Sequence, residues 1–190
     1  MIAKPDAPLS SATAPRFSKS KFLAGLQCLK RVYLEVHHPQ LASQPDASTQ
    51  AMLDMGIEVG ELARNLFPGG VFIEESHRQR EAALARTASV MNDRTVPAIF
   101  EGAFEHDGVV VRVDILQRLE SEPGEREVWR LIEVKSSSRV KDVHLDDLAI
   151  QRYVLQGAGV HVATTCLMHI NTDFLYRGGD IDLPGKKIFH

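Results

Sequence analysis

The side chains with the most unusual settings in this sequence are Asp114, Glu133 and Lys135. Glu133-Val134-Lys135 closes the apolar run Trp129-Arg130-Leu131-Ile132, and Asp114 interrupts the valine-rich run that begins at Val109. Both runs read as β-strands, in which successive side chains alternate faces. Alternation puts Leu131, Glu133 and Lys135 on one face, with Arg130, Ile132 and Val134 on the other. In the earlier strand it groups Arg112, Asp114 and Leu116 against Val111, Val113 and Ile115. An Asp inside such a strand is costly unless it is paired or ligates a cation.

Residues 120–126 are acidic and contain Pro123-Gly124, a turn signal. The two strands are therefore expected to be antiparallel neighbours that bring Asp114 beside Glu133 and Lys135. Clustered carboxylates repel each other, and a hard divalent cation such as Mg²⁺, which prefers oxygen ligands, resolves that repulsion. A cation held this way lowers the pKa of a bound water and neutralises charge on a phosphoryl group. A neighbouring Lys orients the attacking water or stabilises the pentacovalent phosphate. The competing reading is a buried Asp–Lys or Glu–Lys pair with a structural role only.

Around this hairpin, hydrophobic periodicity outlines the elements that must position it. Residues 1–16, rich in Ala, Ser and Pro, read as a flexible tail, and residues 17–190 as one domain. A helix is predicted from the N-cap Ser18, with Phe17 and Phe22 placed for a hydrophobic staple and Phe22, Leu26, Leu29 and Tyr33 on one stripe. Lys19, Lys21, Lys30 and Arg31 flank the stripe as solvated surface or as a phosphate-contacting patch. A second helix is predicted over 48–66, with Met52, Met55, Val59, Leu62 and Leu66 on its stripe. Glu61 lies off that stripe, either exposed or facing a second surface. A short strand at 71–73 and a third helix over 76–92, packing through Ala83, Leu84, Ala88 and Met91, come next. From Pro97 the period changes from 3.6 to 2: strands are expected over 98–104 and 109–119 around a His106-Asp107-Gly108 turn. A helix over 142–156, with Leu145, Leu148, Ala149 and Tyr153 for packing, precedes a final strand over 162–170. This order predicts an α+β or mixed α/β fold.

Composition limits the alternatives. The chain has 190 residues, 44% hydrophobic and 25% charged, with a formal net charge of −3. That is an ordinary globular profile without the basic excess of many nucleic-acid binders. An enzyme that binds DNA through metal ions needs acidic residues at its centre, so the charge is neutral on that point. No apolar run approaches the roughly 20 residues of a membrane span. The two distant cysteines, Cys28 and Cys166, suggest no disulfide framework, and the expected location is the cytoplasm.

Asp114, then Glu133-Val134-Lys135 about twenty residues later, then a helix bearing Gln151, resembles the PD-(D/E)XK nuclease superfamily, as does the αβββαβ element order. Within it the chain is most similar to the RecB-type exonucleases, and to the N-terminal nuclease domain of a group of bacterial proteins. The likeness covers residues 18–33, 55–67 and 109–171. It implies a restriction-endonuclease-like core, a mixed sheet flanked by helices with extra N-terminal helices. It also implies metal-dependent hydrolysis of DNA phosphodiester bonds, with RNA left open as a substrate, in repair or defence. Asp114 and Glu133 would ligate Mg²⁺ or Mn²⁺ with the main-chain carbonyl of Val134, and Glu61 would complete the shell. Lys135 would be the catalytic lysine. Gln151 would support the site and contact nucleic acid, with Tyr153 in a similar role, and Ser136 would either donate to phosphates or serve the turn that follows the strand.

The sequence departs from the pattern in places. Val113 stands where a Pro precedes the Asp, and Leu155 stands four residues after Gln151 where a tyrosine is expected. Cys28 matches the first ligand position of iron–sulfur members, but only Cys166 remains to partner it, so no such cluster is expected. Relatives are often longer, which leaves two expectations: a single-domain version, or one half of a larger protein with an additional domain or partner. Two other readings follow: a non-catalytic module that binds nucleic acid or protein while keeping this fold, and a metal-dependent hydrolase acting on another phosphorylated substrate.

Overall fold

A computed structural model of the protein describes residues 17–122, 124–175 and 188–190. The tail expected over 1–16 lies outside them. The described residues form an α+β fold in which five α-helices flank a six-stranded, mixed, open sheet. The elements are β1 (Phe17–Ser18), α1 (Lys19–Gln27), α2 (Leu29–His37), α3 (Ala47–Arg64), β2 (Val71–Phe72) and α4 (Arg80–Asn92). They continue with β3 (Ala98–His106), β4 (Val109–Leu119), β5 (Val128–Lys135), α5 (Asp142–Gly157) and β6 (Val162–His169). The sheet order is β2-β3-β4-β5-β6, with β1 added in parallel against the first residues of β4. β3, β4 and β5 run antiparallel, whereas β2 joins β3 and β6 joins β5 in parallel. Among the described residues, no helix is long and apolar enough to cross a membrane.

Apart from β1, where only a helix cap was expected, the strands form where alternation predicts them. Asp107 and Gly108, at φ 48° and 74°, close the β3–β4 hairpin, because a tight two-residue turn with the right twist requires positive φ at both positions. One side of the sheet packs Leu116, Trp129 and Leu131 against Ile150, Val154 and Leu155 of α5 and against α4. The other side holds a smaller cluster of Ile115 and Ile132 with Ala63 of α3, Ala98 and Phe100.

The helices depart from the expected stripes. Cys28 adopts an extended backbone (φ −164°, ψ 118°) and splits the predicted first helix into α1 and α2. Phe22 still packs on the main core, but Leu26, Leu29 and Tyr33 are exposed, because the break ends their common period. The N-cap of α1 is Ser18, as expected, with its hydroxyl accepting from the Lys21 N–H. α3 is capped by Asp46 rather than starting at Ser48, and Met52 and Met55 are exposed; only Val59 and Ala63 are buried. α4 begins at Arg80 rather than Ser76, which is held in a preceding turn by the Gln79 side chain. Its buried face is Ala83, Thr87 and Val90, so Ala88 points outward.

The largest correction concerns α5. Leu145, Ala149 and Tyr153 are exposed, and the buried face is His144, Asp147, Ile150, Gln151, Val154 and Leu155. This face satisfies the helical period only when polar residues are admitted to it. At its C-terminal end α5 meets the β3–β4 turn so closely that a Cβ on Gly157 would lie 2.0 Å from the His106 ring. Gly157→Ala is therefore expected to cost about 1–3 kcal/mol, as overpacking does. Urea denaturation of Gly157→Ala, with recovery of stability in the Gly157→Ala, His106→Ala double variant, checks this.

Candidate active site

Asp114 sits where the sheet loses its regular pairing. β4 pairs with β5 from Ile115↔Ile132 to Leu119↔Val128, so the register stops just short of Asp114. On the other side, the β3–β4 ladder passes from Phe100↔Ile115 to Gly102↔Val113, skipping Glu101, whose φ is 55°. The Asp114 carboxylate takes over where the ladder ends: the Val134 N–H donates to its Oδ2 at 2.7 Å. This irregularity corrects the expected faces of β4. Leu116 packs with Val111 and Val113 in the main core, whereas Ile115 joins the α3-side cluster; Asp114, between them, borders a cleft beside Val134 and lies close enough to Glu133 for their charges to repel. The same cleft, of about 610 Å³, is lined by Glu61, Arg64, Glu101, Arg112 and Val134.

In β5 the expected alternation holds. Leu131 faces α5, Ile132 and Val134 face the α3 side, and Glu133 follows Leu131 towards α5. There Glu133, 1% exposed, enters a dense polar network. Lys135 Nζ donates to Glu133 Oε1 at 2.5 Å and to Asp147 Oδ2 at 2.7 Å. Gln151 Nε2 donates to Glu133 Oε2 at 2.6 Å and to Asp147 Oδ1 at 2.8 Å. Lys19, the first residue of α1, adds a second ammonium: its Nζ lies 3.2 Å from Glu133 Oε1 and 3.0 Å from Asp147 Oδ1.

Electrostatics separate the members of this cluster. Burial raises the Glu133 pKa from 4.5 to about 7; repulsion from Asp114 and Asp147 adds to it, and Lys19 and Lys135 oppose it. Burial also raises Asp114, against the pull of Lys19 and the Val134 N–H. Burial pushes Asp147 the same way, but Lys19 and the hydrogen bond from Lys135 outweigh it and hold the carboxyl at about 2. Burial disfavours both ammonium groups, yet Glu133 and Asp147 more than compensate, so Lys19 and Lys135 are shifted above the ordinary lysine value. Lys135 is thus a fixed positive charge and not a proton acceptor near neutral pH.

The structure brings together Asp114, Glu133, Val134, Lys135 and Gln151 of the residues singled out from the sequence. Glu61 is exposed; it shares the Asp114 cleft, and Arg64 lies 3.7 Å from its carboxylate. Ser136 lines a separate cleft with Ser137, Ser138, Arg139 and Lys141. Tyr153 stands apart: its exposed side chain donates to Asp107 at 2.5 Å and braces the β3–β4 turn. Tyr153→Phe is accordingly expected to leave any activity of the site unchanged, which a rate comparison with the wild type checks. Lys19, read from the sequence as solvated surface or a phosphate-contacting patch, is mostly buried and ion-paired to Glu133 and Asp147. Asp147 was missed by periodicity because only apolar residues were placed on the α5 stripe. The signal available was its i, i+4 spacing to Gln151, which puts both polar groups on one helical face.

The donors suit a hard cation in kind. They are oxygens, and three carboxylates face two ammonium groups, so full ionisation leaves one negative charge unbalanced. Gln151 Oε1 is buried without a hydrogen-bond partner among the described residues, and it is an acceptor suited to a metal-bound water. The arrangement is nonetheless ion-paired: among the described residues no three His, Cys, Asp or Glu side chains form a ready metal-binding group. Comparison with known protein families, with curated proteins and with solved structures finds no match.

Proposed function

We propose that this chain is a metal-dependent nuclease with a restriction-endonuclease-like core, hydrolysing DNA phosphodiester bonds in the manner of RecB-type exonucleases. The observation that carries the reading is the joining of Asp114 to Glu133-Val134-Lys135 through the Val134 N–H, with Gln151 of the following helix bonded to Glu133. Asp114, Glu133 and the Val134 carbonyl would hold Mg²⁺ or Mn²⁺, with Glu61 reaching in from α3. When bound, the cation supplies charge neutralisation at the phosphate and a water of lowered pKa. The Lys135 ammonium stabilises negative charge that develops on the phosphoryl oxygens, and its fixed position avoids reorganisation during the reaction. Asp147 and Gln151 hold Lys135 and Glu133 in place. Cytoplasmic DNA is the natural substrate of such a domain, acting alone or with a further domain or partner protein.

Calorimetric titration with Mn²⁺ tests the metal centre. The wild type is expected to bind, and Asp114→Asn to lose about 10- to 100-fold or more in affinity, at least the loss seen for groups that support metal ligands. A second reading has its own observation: Lys19 and Lys135 together engage both oxygens of Glu133, the pattern of a closed structural network. It makes the chain a non-catalytic binding module, and absence of any Mg²⁺ or Mn²⁺ binding by the wild type would favour it.

A further inference from the structure

Lys19 is placed by the sheet and not by chance side-chain packing. The two residues of β1 pair with Val109 and Val110, and the Phe17 N–H donates to the Gly108 carbonyl at 2.8 Å. β4 therefore has β1 beside its first residues and β5 beside its last ones. α1 begins next to this gap and packs against β4 and α5. Its first residue projects an ammonium between two carboxylates that belong to different elements, Glu133 of β5 and Asp147 of α5.

A lysine at the first position of a helix faces the positive end of the helix dipole, where anions are favoured. Its charge is instead held by contacts of 3.2 and 3.3 Å to the two Glu133 oxygens and 3.0 Å to Asp147. The side chain is 21% exposed, so it has a route to solvent. It also borders a cleft of about 490 Å³, lined in part by Ser20, Ser76 and His77, with room for a displaced lysine.

We propose that Lys19 is a built-in counter-cation of the site, and that a divalent cation binds Glu133 by displacing its ammonium. This rests on the nuclease reading and extends it: metal affinity is set by competition with a residue of the chain itself. Lys135 bonds the same carboxylates but follows Glu133 on one strand and remains beside it, whereas Lys19 comes from a separate element and can leave. The exchange makes and breaks only ionic contacts and hydrogen bonds, with no covalent change.

Two measurements test it. Calorimetry with Mn²⁺ on the wild type, Lys19→Met and Lys19→Gln is expected to give about tenfold tighter binding for each variant, since neither carries the competing charge. Amine acetylation of the wild type, read by mass spectrometry, is expected to rise several-fold at Lys19 when Mn²⁺ saturates the site, with the exposed Lys30 unchanged. Because the second measurement uses unaltered protein, it stands if the variants fail to fold. Metal binding with equal affinity in all three proteins, or with Lys19 acetylation unchanged, would overturn the displacement and leave the nuclease reading intact. No Mn²⁺ binding by any of the three would overturn both.

Discussion

Replacing Lys135 by alanine is expected to lower DNA hydrolysis by about 10²- to 10³-fold while the protein stays folded. The rate effect follows from removing one preorganised positive group aimed at developing charge, which costs about 2.7–4 kcal/mol of transition-state stabilisation. The fold is expected to survive because Lys19 and Gln151 still contact both Glu133 and Asp147. Hydrogen bonds to charged groups contribute about 1.5–3 kcal/mol, well below the 5–15 kcal/mol of a typical domain. Lys135→Arg is expected to be nearly as inactive, since a planar guanidinium cannot reproduce two compact contacts from one nitrogen. Rates on a labelled DNA, with circular dichroism on the same samples, check both variants. A Lys135→Ala protein that retains the wild-type rate would reduce the lysine to a structural counter-ion.

The second large effect is on stability as a function of pH. The Glu133 carboxyl titrates at about 7 in the folded protein against 4.5 ordinarily. Between those values the folded chain keeps a proton that the unfolded chain has released, so stability falls as pH rises through this window. Each unit of separation corresponds to about 1.36 kcal/mol. Asp147 behaves oppositely but elsewhere: held at about 2, it contributes stability that is present above its ordinary value of 3.8 and is lost as pH falls towards 2. The two windows do not overlap. In EDTA, the urea midpoint of the wild type is therefore expected to drop between about pH 5 and pH 7.5 relative to that of Glu133→Gln. Glutamine mimics the protonated carboxyl and can still accept the Gln151 hydrogen bond. Parallel midpoints for the two proteins across that range would contradict this assignment. Glu133→Ala, by contrast, leaves two ammonium groups facing Asp147 and is expected to cost about 3–5 kcal/mol, the penalty of a broken buried pair.

Much of the fold was legible because the strands obey a simple rule. Valine-rich alternation, an Asp-Gly turn and an acidic Pro-Gly connection defined β3, β4 and β5 and put Glu133 and Lys135 on one face. What escaped was local and physical. Cys28 interrupts a helix without the glycine or proline that usually announces a break, so the α1–α2 division left no signal. The two-residue β1 is too short to show a period, yet it determines where Lys19 goes. Asp147 is buried on α5 because two lysines and the Gln151 amide satisfy its carboxylate, and a search for apolar stripes rotates the helix away from its true face. The candidate site was therefore readable as Asp114, Glu133, Lys135 and, through the resemblance, Gln151, while Lys19 and Asp147 came from positions where polarity had suggested solvent.

Incubation of the wild-type protein with end-labelled single-stranded and double-stranded DNA, and with RNA, measures the central claim most directly. In Mn²⁺ or Mg²⁺ the DNA is expected to shorten progressively from its ends, and EDTA is expected to stop the reaction. Intact substrates of all three kinds, in both metals, would contradict it.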